Sequence, residues 1–84
     1  MYYVYILYSH KDKHLYTGYS SDLKIRIKQH INSEVPATKF RLPLELIYYE
    51  AYKDKRDATK REYFLKRGRG RELLKELLKF SIPK

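Results

Sequence analysis

The sequence contains no cysteine and no tryptophan, and only three glycines and three prolines among its 84 residues. Without cysteine the chain forms neither disulfides nor thiolate metal sites, which suits a reducing compartment. No apolar run approaches the roughly 20 residues of a membrane-spanning helix. Strand-like residues begin at Tyr2, so we expect no cleavable signal peptide. We expect a cytoplasmic protein with a single domain over residues 1–84, since a chain of this length supports one core.

Basic side chains outnumber acidic ones. Nineteen Lys and Arg against ten Asp and Glu leave a formal charge of +9. On so small a domain this charge produces a positive potential that attracts polyanions. A nucleic-acid partner and a surface that is charged only for solubility explain it equally well. The ten tyrosines are mostly explained as strand residues, although phenol rings also stack on bases and bond phosphates.

The first two strands predict a β-hairpin. Residues 2–8 form an aromatic and β-branched run, and residues 14–19 form a second strand after a polar turn. With a four-residue loop at 9–12, Tyr5 lies directly opposite Tyr16. Because side chains alternate between the faces of a sheet, both phenols then share one face. A register shift of one residue would separate them.

The next segment predicts a helix. One of the two serines of Ser20–Ser21 caps it, Asp22 lies in its first turn, and Asn32 marks its end. The apolar residues that recur every four positions predict its buried stripe: Leu23, Ile27 and Ile31. Arg26 and His30 have the same spacing, so we expect both on one flank of that stripe.

The rest of the chain predicts one strand and two helices. The expected elements are a loop at 33–43 with a short helical turn at 38–41, a strand at 44–52, a helix from an Asp54 or Asp57 cap to about Arg67, and a helix at 71–80. Gly68 and Gly70 are expected to break the chain between the helices. The order β-β-α-β-α-α predicts an α+β fold, a three-stranded antiparallel sheet flanked by helices.

Glu62 lies on the face of the second helix that is expected to turn inward, in register with Ala58 and Leu65. Burial of an unpaired carboxylate is costly, so two interpretations fit: a site residue, or a boundary glutamate paired with a basic neighbour. Residues 66–71 carry four positive charges. This segment is interpreted equally well as a clamp for phosphates and as a solvated turn between helices. Of the last helix, the leucines at 73, 74, 77 and 78 form the apolar side.

Two short motifs and three single residues follow one another in a recognisable order: Tyr3-Val4-Tyr5, Tyr16-Thr17-Gly18, Arg26, His30 and Glu62. In this order and at these spacings the chain resembles the GIY-YIG nuclease superfamily. More narrowly it is similar to the small single-domain bacterial proteins of the UvrC N-terminal-like, UPF0213-type group. Tyrosine stands at the first position of the first motif, where the family has glycine, and threonine replaces isoleucine in the second.

The resemblance implies divalent-metal-dependent hydrolysis of a DNA phosphodiester with low sequence specificity. Glu62 would be the protein ligand of Mg²⁺ or Mn²⁺, because a hard cation keeps waters and phosphate oxygens as its other ligands. Arg26 would brace the phosphate oxygens. Tyr5 is favoured as general base and Tyr16 for positioning the phosphate, although the hairpin face does not distinguish them. His30 would orient a phenol or relay a proton, or else is an ordinary surface residue.

The implied partner is nucleic acid, with DNA favoured over RNA and a protein partner as a source of specificity. Its expected contacts are Gly18, Lys24, Lys28 and Lys39, and each lysine is equally well explained as solvated surface. Nuclease relatives carry an asparagine after the glutamate helix, and this chain has none after Asn32. We also expect no appended domain that would recognise a DNA target. A nucleic-acid binder without catalysis is therefore an alternative, and a module that binds an acidic protein is a third.

Overall fold

The computed structural model describes residues 1–83. Its elements are β1 Tyr2–Ser9, β2 Leu15–Ser20, α1 Leu23–Ile31, β3 Leu44–Tyr52, α2 Lys55–Leu65 and α3 Gly68–Leu77. The predicted order and the α+β fold class are confirmed. None of the helices within the described residues has the length and apolar character to cross a membrane.

The sheet has the order β2-β1-β3, with both pairings antiparallel. β1 is the central strand and is buried from Val4 to Ser9, which explains why its sequence is an unbroken apolar and aromatic run. One face, with Val4 and Ile6, packs on α2 and α3 to form the main core. The opposite face carries Tyr5, whose hydroxyl meets α1.

The hairpin register differs from the predicted one by two residues. Tyr5 pairs with Gly18, and Tyr16 pairs with Leu7. Because side chains alternate with a period of two, a shift of two residues leaves every side chain on its predicted face. The two phenols are therefore diagonal neighbours on one face instead of direct partners.

The position of the turn causes this shift. The Ser9 N–H donates to the His14 carbonyl at 3.0 Å, so the four-residue loop is His10–Lys13, one residue later than expected. Lys13 adopts a φ of 64°, a left-handed conformation that reverses the chain. Nothing in the local sequence singles out a lysine for that conformation.

α1 begins at a different cap and buries a different residue than expected. The N-cap is Asp22 itself, whose Oδ1 accepts the Ile25 N–H at 3.1 Å. The predicted end at Asn32 is confirmed. Ile31 is 54% exposed while His30 is buried. Residues spaced by four drift by roughly 40° per step, so the third member of such a stripe rotates out of the contact.

The α2–α3 corner also differs from the prediction. Asp54 is the cap of α2, and its Oδ1 accepts the Arg56 N–H at 2.8 Å. α3 begins at Gly68, so the two glycines start this helix instead of breaking the chain. Of the four leucines predicted for its apolar side, Leu74 in the helix and Leu78 at its C-cap are buried, whereas Leu73 and Leu77 are exposed. Gly70 is buried against the last turn of α2, a tertiary contact that no local pattern reports.

Candidate active site

Three aromatic rings from three elements meet on the sheet face that packs against α1. The ring centroids of Tyr5 and His30 are 5.5 Å apart, those of Tyr16 and His30 are 5.3 Å apart, and those of the two tyrosines are 6.4 Å apart. Gly18 makes room for this cluster, because a Cβ there would lie 2.2 Å from the Tyr5 Cζ. The structure thus brings together both tyrosines and the histidine that the sequence singled out.

A buried hydrogen-bonded chain starts at Tyr5. Its hydroxyl lies 2.8 Å from His30 Nε2, and His30 Nδ1 lies 2.6 Å from Thr38 Oγ1. Tyr5 and His30 are 1% exposed and Thr38 is fully buried. His30 is therefore not an ordinary surface residue. Thr38 was missed by the sequence analysis, because a single threonine in a loop carries no periodic signal of its burial.

The hydrogen-bonded chain passes through both nitrogens of the His30 ring. A neutral imidazole has one N–H, so His30 donates from one ring nitrogen and accepts at the other. It therefore donates to one of the Tyr5 and Thr38 hydroxyls and accepts from the other. In either tautomer both ring nitrogens are bonded, which holds the ring in one orientation.

Charged groups at the site act on the same phenol. Burial raises the pKa of Tyr5, the Arg26 guanidinium lowers it, and Tyr16 and Glu62 raise it further, with a net increase. Arg26 is oriented by Gln29, because its Nη1 donates to Gln29 Oε1 at 3.0 Å. Gln29 is a second residue that the sequence analysis did not identify. A cation and a carboxylate from two different helices thus act on the pKa of one buried phenol.

The buried His30 makes stability depend on pH. Burial, and then the Arg26 charge, lowers its pKa from 6.5 to about 4, so the native imidazole stays neutral where the unfolded one is protonated. The stabilisation is present above pH 6.5 and is lost as the pH falls to about 4, by roughly 3 kcal/mol. Urea unfolding at several pH values should show this loss for the wild type. His30→Gln should be less stable at neutral pH but depend less on pH in this window, and parallel curves would contradict the prediction.

Glu62 lies at the boundary of the core, where its side chain is 21% exposed, and its Oε2 accepts from Lys66 Nζ at 2.9 Å. It thus has the basic neighbour that one interpretation required. No cluster of three or more His, Cys, Asp or Glu occurs within residues 1–83. A single, partly exposed carboxylate fits a cation such as Mg²⁺ that keeps several waters, and does not fit a closed protein cage.

An ion-pair cluster on the other face of the sheet holds α2 in place. Arg61 donates from Nε and Nη2 to the two oxygens of Glu50, at 2.9 and 3.1 Å. The hydroxyls of Tyr48 and Tyr52 also donate to Glu50. Such a partly buried bidentate pair is costly to break. Because Arg61 precedes Glu62, the cluster helps to determine where that carboxylate lies.

The expected nucleic-acid contacts are scattered. Lys24 and Lys28 are exposed on α1, and Lys39 is exposed in the following loop, 4.9 Å from the Phe40 ring centroid. Gly18 is buried beneath Tyr5 and offers no open surface. The roles of these residues stay predictions.

Comparison with known proteins identifies the class. Residues 1–75 match the model of the GIY-YIG catalytic domain, and the chain belongs to this family, as its motifs indicated. Its relatives include a UPF0213 protein of Clostridium perfringens, 46% identical over 68 residues, which cover 80% of this chain and 72% of that protein. A UPF0213 protein of Staphylococcus saprophyticus is 45% identical over 65 residues, 76% of this chain and 78% of that protein.

A solved structure agrees with this relationship. The solution NMR structure of a UPF0213 protein from Bacillus halodurans matches with a TM-score of 0.57 at 38% identity. The match covers 92% of this chain and 85% of that one. The similarity therefore extends over nearly the whole chain.

Proposed function

We propose that the protein is a metal-dependent endonuclease that hydrolyses phosphodiester bonds in nucleic acid, DNA before RNA, with low sequence specificity. The observation that carries this proposal is the packing of Tyr5, Tyr16 and His30 into one cluster of rings. Arg26 lowers and Glu62 raises the pKa of the Tyr5 phenol in this cluster. A cation for phosphate oxygens and a carboxylate for a metal thus both act on the phenol beside Tyr16. Membership of the GIY-YIG family supports nuclease chemistry.

Each charged group has a distinct role in this proposal. Glu62 would hold Mg²⁺ or Mn²⁺, which when bound supplies Lewis-acid stabilisation of the negative charge on the phosphate. Arg26, oriented by Gln29, would donate to the non-bridging phosphate oxygens and needs no reorganisation to do so.

The two tyrosines differ in their access to water. Tyr5 was favoured as the general base, but it is 1% exposed and burial raises its pKa, and both properties oppose that role. Tyr16 is half-buried on the edge strand β2. We therefore assign the attacking water to Tyr16. Tyr5 positions it through the chain to His30 and Thr38, which keeps the three-ring cluster in one arrangement.

Single substitutions should separate these roles. Tyr16→Phe is expected to lower the cleavage rate by about 100-fold or more with little loss of stability, because it removes a general base and no buried hydrogen bond. Tyr5→Phe leaves His30 Nε2 without its partner, so it should cost roughly 1–3 kcal/mol of stability and reduce the rate less. Nicking rates and urea unfolding of both variants provide the measurement. A lower cleavage rate for Tyr5→Phe than for Tyr16→Phe would indicate that Tyr5 is the general base.

The proposed activity is tested by nicking of supercoiled plasmid in Mg²⁺ or Mn²⁺, with EDTA as the control. Binding without catalysis is the second candidate, because Glu62 is already paired with Lys66 and no asparagine follows Asn32. It predicts salt-sensitive binding with no metal-stimulated turnover. Turnover that requires the metal and the intact site supports the nuclease, and its absence with purified, folded protein supports the binder.

A further inference from the structure

A groove of about 710 Å³ lies between β2 and the α2–α3 corner. Leu15 and Ile82, which are both partly exposed, contribute an apolar floor. Its basic side chains are Lys13, His14, Arg41, Lys66, Arg71 and Lys75. Within residues 1–83 the lining contains no aspartate or glutamate. Lys24, Lys28 and Lys39 do not belong to it, whereas Lys66 and Arg71 come from the basic segment 66–71.

Several of these cations are available to a ligand. Arg41 is paired with Asp12 and Lys66 with Glu62. In the part of the chain that the structure describes, Lys13, Arg71 and Lys75 have no carboxylate within salt-bridge distance. Like charges that converge on a groove with an apolar floor raise the local potential, and a bound anion relieves it.

The groove is continuous with the candidate site through two residues. Tyr16 belongs both to the groove lining and to the three-ring cluster. Lys66 lines the groove and holds the Glu62 carboxylate. The Lys66 side chain is 47% exposed, so a phosphate in the groove can compete with Glu62 for its ammonium group. A ligand in the groove would thereby free that carboxylate.

The chemistry of the groove favours one kind of ligand. Its volume of about 710 Å³ lies in the range of small-ligand pockets, so it accommodates one or two nucleotides of a single strand and not a duplex. Unpaired bases expose apolar faces that the floor can cover, while their phosphates meet the basic rim. In a duplex those faces are stacked inside and only the backbone is available.

We propose that this groove binds a single-stranded segment of nucleic acid that leads to the candidate active site. Bases lie on the floor at Leu15 and Ile82, and phosphates contact Lys13, Arg71 and Lys75. The statement that the segment leads to a scissile bond rests on the proposed function, whereas the binding itself does not. The substrate feature selected by this site is then an unpaired strand beside the bond to be cut, such as an end, a gap or a loop.

Binding is measured by fluorescence anisotropy in EDTA, with a labelled single-stranded oligonucleotide and a hairpin duplex of the same length. Arg71→Gln/Lys75→Gln removes two groove charges. Lys53→Gln/Lys55→Gln removes two exposed charges outside the groove. The formal net charge of each double variant is therefore two lower than the wild-type value of +9, that is +7. The groove variant should bind the single strand at least ~10-fold more weakly than the control variant, with a salt slope reduced by about 1.4. Its affinity for the hairpin should change no more than that of the control.

Equal losses for the two variants would overturn the groove as the binding site, and equal losses for the two probes would overturn the preference for a single strand. Thermal unfolding of each variant establishes that it is folded. Because EDTA removes catalysis from the measurement, the two proposals fail separately. A groove variant that binds like the control contradicts the groove even when the wild type nicks plasmid. Loss of binding in the groove variant supports the groove even when no nicking occurs.

Discussion

Glu62→Gln should abolish metal-stimulated cleavage, with a rate reduction of about 100-fold or more. The amide has nearly the same shape but carries no charge, so it does not hold a hard divalent cation that needs an anionic oxygen. Stability should change by about 1 kcal/mol or less, because Glu62 loses its ion pair with Lys66, whose side chain is 47% exposed and keeps its contact with water. The measurement is the initial rate of plasmid nicking over a Mg²⁺ titration, with circular dichroism to verify folding.

Glu72→Gln provides a matched control. Glu72 is an exposed residue of α3, and its substitution changes the net charge by the same amount. It should nick at the wild-type rate. Arg26→Ala should lower the rate while nucleic-acid binding is retained, since Arg26 is assigned to the phosphate under attack. Equal nicking by the wild type, Glu62→Gln and Arg26→Ala would indicate a contaminating nuclease and contradict the proposed function.

Gly70→Ala should cause the largest loss of stability of any single methyl addition to a glycine in this chain. A Cβ at Gly70 would lie 1.8 Å from the Phe64 carbonyl oxygen and 2.8 Å from the Leu65 Cα, both backbone atoms of α2. Backbone atoms have no alternative rotamer, so α3 must move away from α2. Leu74 would then lose part of its core packing. We expect a loss of about 3 kcal/mol or more, a large share of the roughly 5–15 kcal/mol of a small domain.

Gly68→Ala separates this steric effect from the general effect of replacing glycine. Gly68 has a φ of +32° and no atom within 4 Å of an added Cβ. Its substitution should cost only the conformational strain, about 1–2 kcal/mol. Urea unfolding of both variants gives the comparison. Equal midpoints would show that α3 adjusts without cost and would contradict the tight contact. Because the α2–α3 corner lines the groove and follows Glu62, Gly70→Ala should also lower activity.

Some features of the site followed directly from local sequence. The strand Leu44–Tyr52 has the predicted bounds, because an uninterrupted β-forming run lies between a proline and a turn. Tyr5 and Tyr16 share a face as expected, although the pairing partners were wrong. The reason is that a register shift by an even number of residues leaves each side chain on the same face of the sheet. The spacing of Arg26 and His30 predicted that they share one flank of the buried stripe, whereas His30 is itself the residue that packs on the sheet.

Other features depended on contacts between distant segments. The burial of His30 in place of Ile31 depends on how α1 rotates against the sheet. Thr38 joins the site because the loop after α1 folds back over the site. The contact is the hydrogen bond between Thr38 Oγ1 and His30 Nδ1. The choice between the tyrosines also required the tertiary structure, because burial and not residue type distinguishes Tyr5 from Tyr16.

The sequence by itself determined the order of elements, the family and the residue types of the site, because periodicity, turns and motif spacing act over a few residues. Tertiary structure alone decided which of these side chains are buried, which are paired, and where unbalanced positive charge collects. Those properties arise where the hairpin, the loop after α1 and the α2–α3 corner meet. Contacts between segments far apart in the chain leave no pattern along it, so a single sequence does not record them.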